Sequence, residues 1–122
     1  MKGASGPIKV LIVDDSPLVR QVLGTILEAD LAIRVVGYAT DGKEAVEKAF
    51  QLKPDLITMD INMPGMDGLE ATEKIMAYRP TPILIVTSAR DRRGVQITME
   101  ALAAGALEVM EKPTPLPDES WE

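Results

Sequence analysis

Three acids in this chain sit where buried apolar runs stop: Asp14 and Asp15 after IKVLIV (residues 8–13), and Asp60 after LITM (56–59). In open parallel sheets, groups at the carboxyl ends of strands face the crevice where ligands bind. Neighbouring strands lie about 4.8 Å apart, so these carboxylates converge if the first and third strands are neighbours. Three like charges that close repel one another unless a cation joins them. Oxygen donors without histidine or cysteine select a hard cation, Mg2+ first. Thr87 and Ser88 end another apolar run and Lys112 follows a fifth, adding a hydroxyl and an ammonium. Acids for a metal, one carboxylate to attack, a hydroxyl and an ammonium together fit transfer of a phosphoryl group to a carboxylate. Asp60 would attack while Mg2+ and Lys112 neutralise the phosphoryl oxygens.

Composition removes most rival chemistries. The 122 residues suit one domain with an ordinary core, and 46% of them are apolar. Only four are aromatic, so the core must be aliphatic. With no cysteine there is no disulfide framework and no thiolate nucleophile or metal ligand. With no histidine there is no Ser–His pair and no imidazole ligand, so a histidine phosphodonor has to be another protein. The net charge of −6 argues against nucleic acid and anionic membrane as direct partners. The N-terminal MKGASGP lacks the apolar segment of a signal peptide, and no apolar run approaches the roughly 20 residues that span a bilayer. A cytoplasmic domain is the expectation.

The elements that must hold these residues alternate in type. Residues 8–13 read as a buried strand, short, β-branched and almost continuously apolar. Ser16 then caps a helix that has Pro17 at its first position and Leu18, Val19, Val22, Leu23, Ile26 and Leu27 at helical spacing. A second strand spans 33–39, and Asp41-Gly42 opens a helix to about Leu52, which Pro54 stops. The third strand ends at Asp60, and a third helix runs from Gly68 to about Tyr78. The fourth strand covers 82–88, a helix follows from about Arg92 to Ala104 with Gly105 as its C′ residue, and a short fifth strand covers 106–110. This order predicts a doubly wound α/β fold with a five-stranded parallel sheet and helices on both faces. Residues 1–7 read as a flexible tail. The proline-rich PTPLPDESWE, from 113 on, reads as a linker (114–122) entering a last helix that is truncated, as in a piece of a longer protein. The sheet face left uncovered would be open to self-association.

The motifs, taken in order, resemble the receiver domain of two-component response regulators from about Ile8 to Pro113. VDDSP matches the family's acidic pair, MDINMPGMDG its phosphoacceptor loop, VTSA its hydroxyl switch and EKP its lysine. The resemblance implies a flavodoxin-like sheet in the order 2-1-3-4-5, and Asp60 as acceptor of phosphate from a sensor histidine kinase. It implies Mg2+ held by Asp14, Asp15, Asp60 and the backbone carbonyl of Asn62, with Thr87 and Lys112 on the phosphoryl group. It also implies a cis Lys112–Pro113 bond, which proline makes inexpensive. Phosphorylation would shift the surface of the last two strands and so alter what a downstream effector meets. The family places an aromatic three residues before its lysine; here that switch-surface position is Val109, so any signal must travel through other packing. DDSPLVRQVL, MPGMDGLEATEKIM and the proline-rich tail look most like the receiver of chemotaxis protein-glutamate methylesterase. There the receiver restrains a C-terminal hydrolase, which this chain does not contain.

Blander readings stand beside these. An adjacent Asp pair is often only a capping turn, and a threonine in an apolar strand only a core hydroxyl. Asp67-Gly68 reads as a turn and N-cap, residues 90–93 as a solvated loop, and Met59, Met63, Met66 and Met76 as core filler. The competing enzyme is an aspartyl-phosphate phosphatase of the haloacid-dehalogenase kind, which uses Asp, Mg2+, Thr and Lys. It places its nucleophile after the first strand in an Asp-x-Asp arrangement, whereas Asp14 and Asp15 are adjacent. A flavodoxin-like cofactor binder would need a glycine- or hydroxyl-rich phosphate loop after the first strand, which is lacking.

Overall fold

A computed structural model describes residues 6–88 and 93–113, the side chains of 93–95 excepted. The expected linker and truncated helix at 114–122 lie outside the described residues, as do most of the expected N-terminal tail and the start of the fourth helix at Arg92. Nine elements alternate along the chain: β1 (Ile8–Val13), α1 (Pro17–Glu28), β2 (Ile33–Ala39), α2 (Gly42–Leu52), β3 (Leu56–Met59), α3 (Gly68–Tyr78), β4 (Ile83–Thr87), α4 (Arg93–Ala104) and β5 (Glu108–Glu111). All five strands pair in parallel in the order β2-β1-β3-β4-β5. This is the flavodoxin-like order 2-1-3-4-5 that the resemblance implied.

Local chemistry sets the helix starts. Ser16 Oγ accepts the Val19 N–H at 3.2 Å, with Pro17 at the first position where its missing N–H is harmless. Asp41 accepts from the Glu44 N–H at 2.8 Å and Asp67 from the Glu70 N–H at 2.9 Å. At the other end of α4, Gly105 (φ +116) takes the left-handed turn, its N–H bonding the Leu102 carbonyl while the Ala106 N–H reaches back to Ala101. That Schellman closure commits Ala106 to the helix exit. It explains why β5 begins at Glu108 rather than at 106 as the apolar run suggested.

Alternation along the strands builds a core on each sheet face. Leu11, Val13, Ile57, Met59, Ile83 and Ile85 pack with alanines and isoleucines of α2, α3 and α4. Val10, Ile12 and Val86 pack on the opposite face with Val19 and Leu23 of α1. The buried core of the described residues contains no aromatic side chain. Beside α1, an apolar groove of about 290 Å³ opens between Leu27, Leu84 and Met110. No helix among the described residues is long and apolar enough to cross a membrane.

Candidate functional site: an acidic cluster with one lysine

β1 and β3 are adjacent, with Val13 beside Met59, so the residue that follows each lands at the same edge. The Asp60 N–H donates to the Val13 carbonyl at 3.0 Å, extending the ladder to the acid itself. Asp14 and Asp60 are almost fully buried, at 1% and 2% exposure, and Asp15 is exposed. One carboxylate oxygen from each of the three lies within 4.8 Å of the others. The convergence expected from strand spacing is therefore present.

Asp14 is held at four points. Its N–H donates to the Ala39 carbonyl (3.0 Å), its carbonyl accepts from Arg20 Nη1 (2.8 Å), and Oδ1 accepts the Ser16 N–H (2.9 Å). Its Oδ2 pairs with Lys112 Nζ at 3.2 Å. Asp60 is held less completely: Oδ1 lies 3.5 Å from Lys112 Nζ, and Oδ2 is buried with no hydrogen-bond partner among the described residues. Burial pushes the Asp60 carboxyl up from 3.8 to about 6; the Asp14 charge adds to the rise and the Lys112 ammonium opposes it. Desolvation outweighs the lysine because one ammonium is shared between two buried acids.

The remaining candidates flank this cluster. Lys112 follows β5, and its N–H donates to the Thr87 carbonyl at 2.9 Å, which ties it to the end of β4. Thr87 is buried at that strand end. Asn62, two residues after Asp60, is exposed. Val109 is half-buried, aligned with Ile85 and packed against the larger core. The cis expectation for Lys112–Pro113 is corrected: every peptide bond of the described residues is trans. Trans is the lower-energy isomer of an X–Pro bond by about 0.5–1 kcal/mol, and proline permits cis without demanding it.

Two contributors went unread in the sequence. Arg20, on α1, bonds the Asp14 carbonyl, and nothing in its spacing signals that. Gly68 carries more than the turn and cap expected of it. A β-carbon there would stand 1.9 Å from the Asp60 carbonyl oxygen, and the Gly68 N–H bonds the Ile61 carbonyl at 2.9 Å. The first residue of α3 thus presses on the backbone of the acidic site.

The donor set suits a hard divalent cation: three carboxylates against one ammonium leave an excess of negative charge, and Asp60 Oδ2 lacks a partner among the described residues.

Residues 10–118 match the family model described as "Response regulator receiver domain". The chain is 56% identical over 107 residues to protein-glutamate methylesterase/protein-glutamine glutaminase 1 of Syntrophus aciditrophicus, covering 88% of this chain and 31% of that protein. It is 53% identical over 107 residues to the corresponding enzyme of Methanococcus maripaludis, covering 88% of this chain and 29% of the relative. The chain thus spans about 30% of the length of these curated relatives. Among solved structures, the response regulator domain of Thermotoga maritima CheB superposes with a TM-score of 0.82 at 50% identity, covering 88% of this chain and 79% of that one. A chain of the CheX-CheY-BeF3-Mg+2 complex from Borrelia burgdorferi gives 0.83 at 29% identity, covering 94% of this chain and 85% of that one.

Proposed function

The chain belongs to the response regulator receiver domain family, and from that premise we propose that Asp60 is its phosphoacceptor, charged by a sensor histidine kinase. The observation that carries this reading is Asp60 itself, a buried carboxylate whose Oδ2 has no partner among the described residues while Oδ1 faces Lys112. In the transfer, Asp60 Oδ2 forms a bond to phosphorus as the P–N bond of a phosphohistidine breaks. The electron pair of that bond leaves with the imidazole nitrogen, and the phosphoryl group becomes an acyl phosphate. Above its pKa of about 6 the carboxylate is ionised and needs no base. Lys112 Nζ, already between Asp14 and Asp60, neutralises a phosphoryl oxygen, and Thr87 supplies a hydroxyl from the end of β4. Asp14, Asp15, Asp60 and the Asn62 carbonyl would hold Mg2+, which supplies charge neutralisation at the transferring phosphoryl group. The structural relative solved with BeF3 and Mg2+ supports this assignment.

The output is proposed from the relatives. They are full-length protein-glutamate methylesterases of which this chain matches the receiver part, so we read the domain as a regulatory module that controls a linked or docked methylesterase. The haloacid-dehalogenase reading is not favoured, since the family model covers most of the chain and the candidate nucleophile follows β3, not β1.

Incubation with acetyl phosphate and Mg2+, followed by intact mass and peptide mapping, tests the assignment. One alkali-labile phosphoryl group on Asp60 is expected, lost in Asp60→Asn and in EDTA. Labelling that survives Asp60→Asn, or no labelling of folded wild-type protein, sinks it.

A further inference from the structure

Arg20 sits on the second turn of α1, outside the acid cluster, yet its guanidinium reaches back six residues to donate from Nη1 to the Asp14 carbonyl at 2.8 Å. That carbonyl belongs to the peptide joining Asp14 to Asp15. A peptide unit is planar, so orienting its C=O also orients the N–H and Cα of the following residue. Asp14 has three further restraints, on its N–H and on both carboxylate oxygens. Asp15 is exposed, and no hydrogen bond or ion pair holds its carboxylate among the described residues. The Arg20 bond fixes the peptide plane that precedes Asp15, and with it the position of the N and Cα from which the Asp15 side chain reaches.

We propose that Arg20 is a positioning residue for divalent-cation binding: by clamping the Asp14–Asp15 peptide it aims the Asp15 carboxylate at the site where Asp14 and Asp60 converge. This rests on the phosphoacceptor reading above, because it assumes that the cluster binds a cation. Groups that orient metal ligands without touching the metal commonly matter tenfold or more in affinity. Arginine suits the task through its length and its several rigidly placed donors, which a lysine ammonium on a flexible stem reproduces only in part.

A merely structural role makes a different prediction. If Arg20 only satisfies a buried carbonyl, its loss lowers stability and leaves the folded site's affinity intact. Mn2+ binding read by EPR, with Mg2+ as competitor, separates the two when thermal melts are recorded alongside. Arg20→Ala, Arg20→Lys and Leu23→Ala would be compared with wild type at a temperature where all are folded. Leu23 is buried on the same helix and touches the α1-side core, so its truncation destabilises α1 without altering the clamp. Arg20→Ala is expected to weaken Mn2+ binding about tenfold. Arg20→Lys should weaken it about threefold, and Leu23→Ala should leave it unchanged despite a lower melting temperature. Wild-type affinity in Arg20→Ala overturns the proposal, as does an equal loss in Leu23→Ala. Should Arg20→Ala fail to fold, Arg20→Lys decides, and wild-type affinity in that variant overturns it. Wild-type protein that binds no Mn2+ or Mg2+ overturns both this proposal and the reading beneath it; binding by wild type with no effect of Arg20 overturns this one alone.

Discussion

Gly68→Ala is expected to destabilise the domain by about 3 kcal/mol and to weaken cation binding at the acidic cluster, although it replaces the poorer helix former with the best one. Propensity favours alanine by at most about 1 kcal/mol in a helix interior, and less at the first helical position that Gly68 occupies. Against this, the new β-carbon would lie 1.9 Å from the Asp60 carbonyl oxygen and 2.8 Å from its carbon. These are backbone atoms, so no rotamer change relieves the contact. Either α3 backs away, breaking the Gly68 N–H bond to the Ile61 carbonyl, or the Asp60 peptide rotates and carries its carboxylate off the cluster. For a domain of this size about 3 kcal/mol lowers the melting temperature by roughly 10–20 °C. Thermal melts with and without Mg2+ check this, and a variant that melts with wild type and binds Mg2+ equally would refute the contact.

The second large effect has the opposite sign. Asp60→Asn should be more stable than wild type at pH 7.5 in EDTA, by about 3 kcal/mol, because it removes a charge that folding buries. The folded carboxyl titrates near 6 against an ordinary 3.8, raised first by burial and then by Asp14. A raised folded pKa means that the fold binds the proton more tightly than the unfolded chain does. The associated stability is fully present below about pH 3.8 and is lost as pH rises through 6. The advantage of asparagine, which mimics the neutral acid, should therefore shrink as pH falls from 7.5 to 4. Lys112 works against this, but Asp14 keeps the shorter contact to the ammonium, at 3.2 Å, when Asp60 is neutralised. Mg2+ should narrow the gap by stabilising wild type alone. Urea denaturation across this pH range provides the check, and a variant less stable than wild type at pH 7.5 would show that the Lys112 contact outweighs desolvation.

Much of the scaffold was legible because periodicity and caps are local. IKVLIV ended at Val13, Ser16 capped with Pro17 behind it, Asp67 capped its helix and Asp41-Gly42 opened another, all from patterns within a few residues. That Asp14, Asp15 and Asp60 meet followed once β1 and β3 were neighbours. The order itself came from likeness to a known family, since alternation predicts parallel strands without their sequence across the sheet. What stayed hidden depends on distance in space. Lys112 lies nearer Asp14 than Asp60, the proposed acceptor; Arg20 points backward along its own helix, and Gly68 is glycine because of a carbonyl eight residues away. β5 slipped because the helix exit at Gly105 claimed residues whose apolarity suited a strand.

The cluster draws its members from strands of unequal burial. β1 lies inside the sheet between β2 and β3, and Val10 to Val13 are essentially inaccessible. β5 is an edge strand whose Glu108, Met110 and Glu111 are exposed. Amides of β1 should exchange with solvent only through global unfolding, while those of β5 should exchange through local opening at much lower free energy. The acids therefore share the lifetime of the whole fold and Lys112 that of its margin, so the ammonium can leave the carboxylates while they stay where they are.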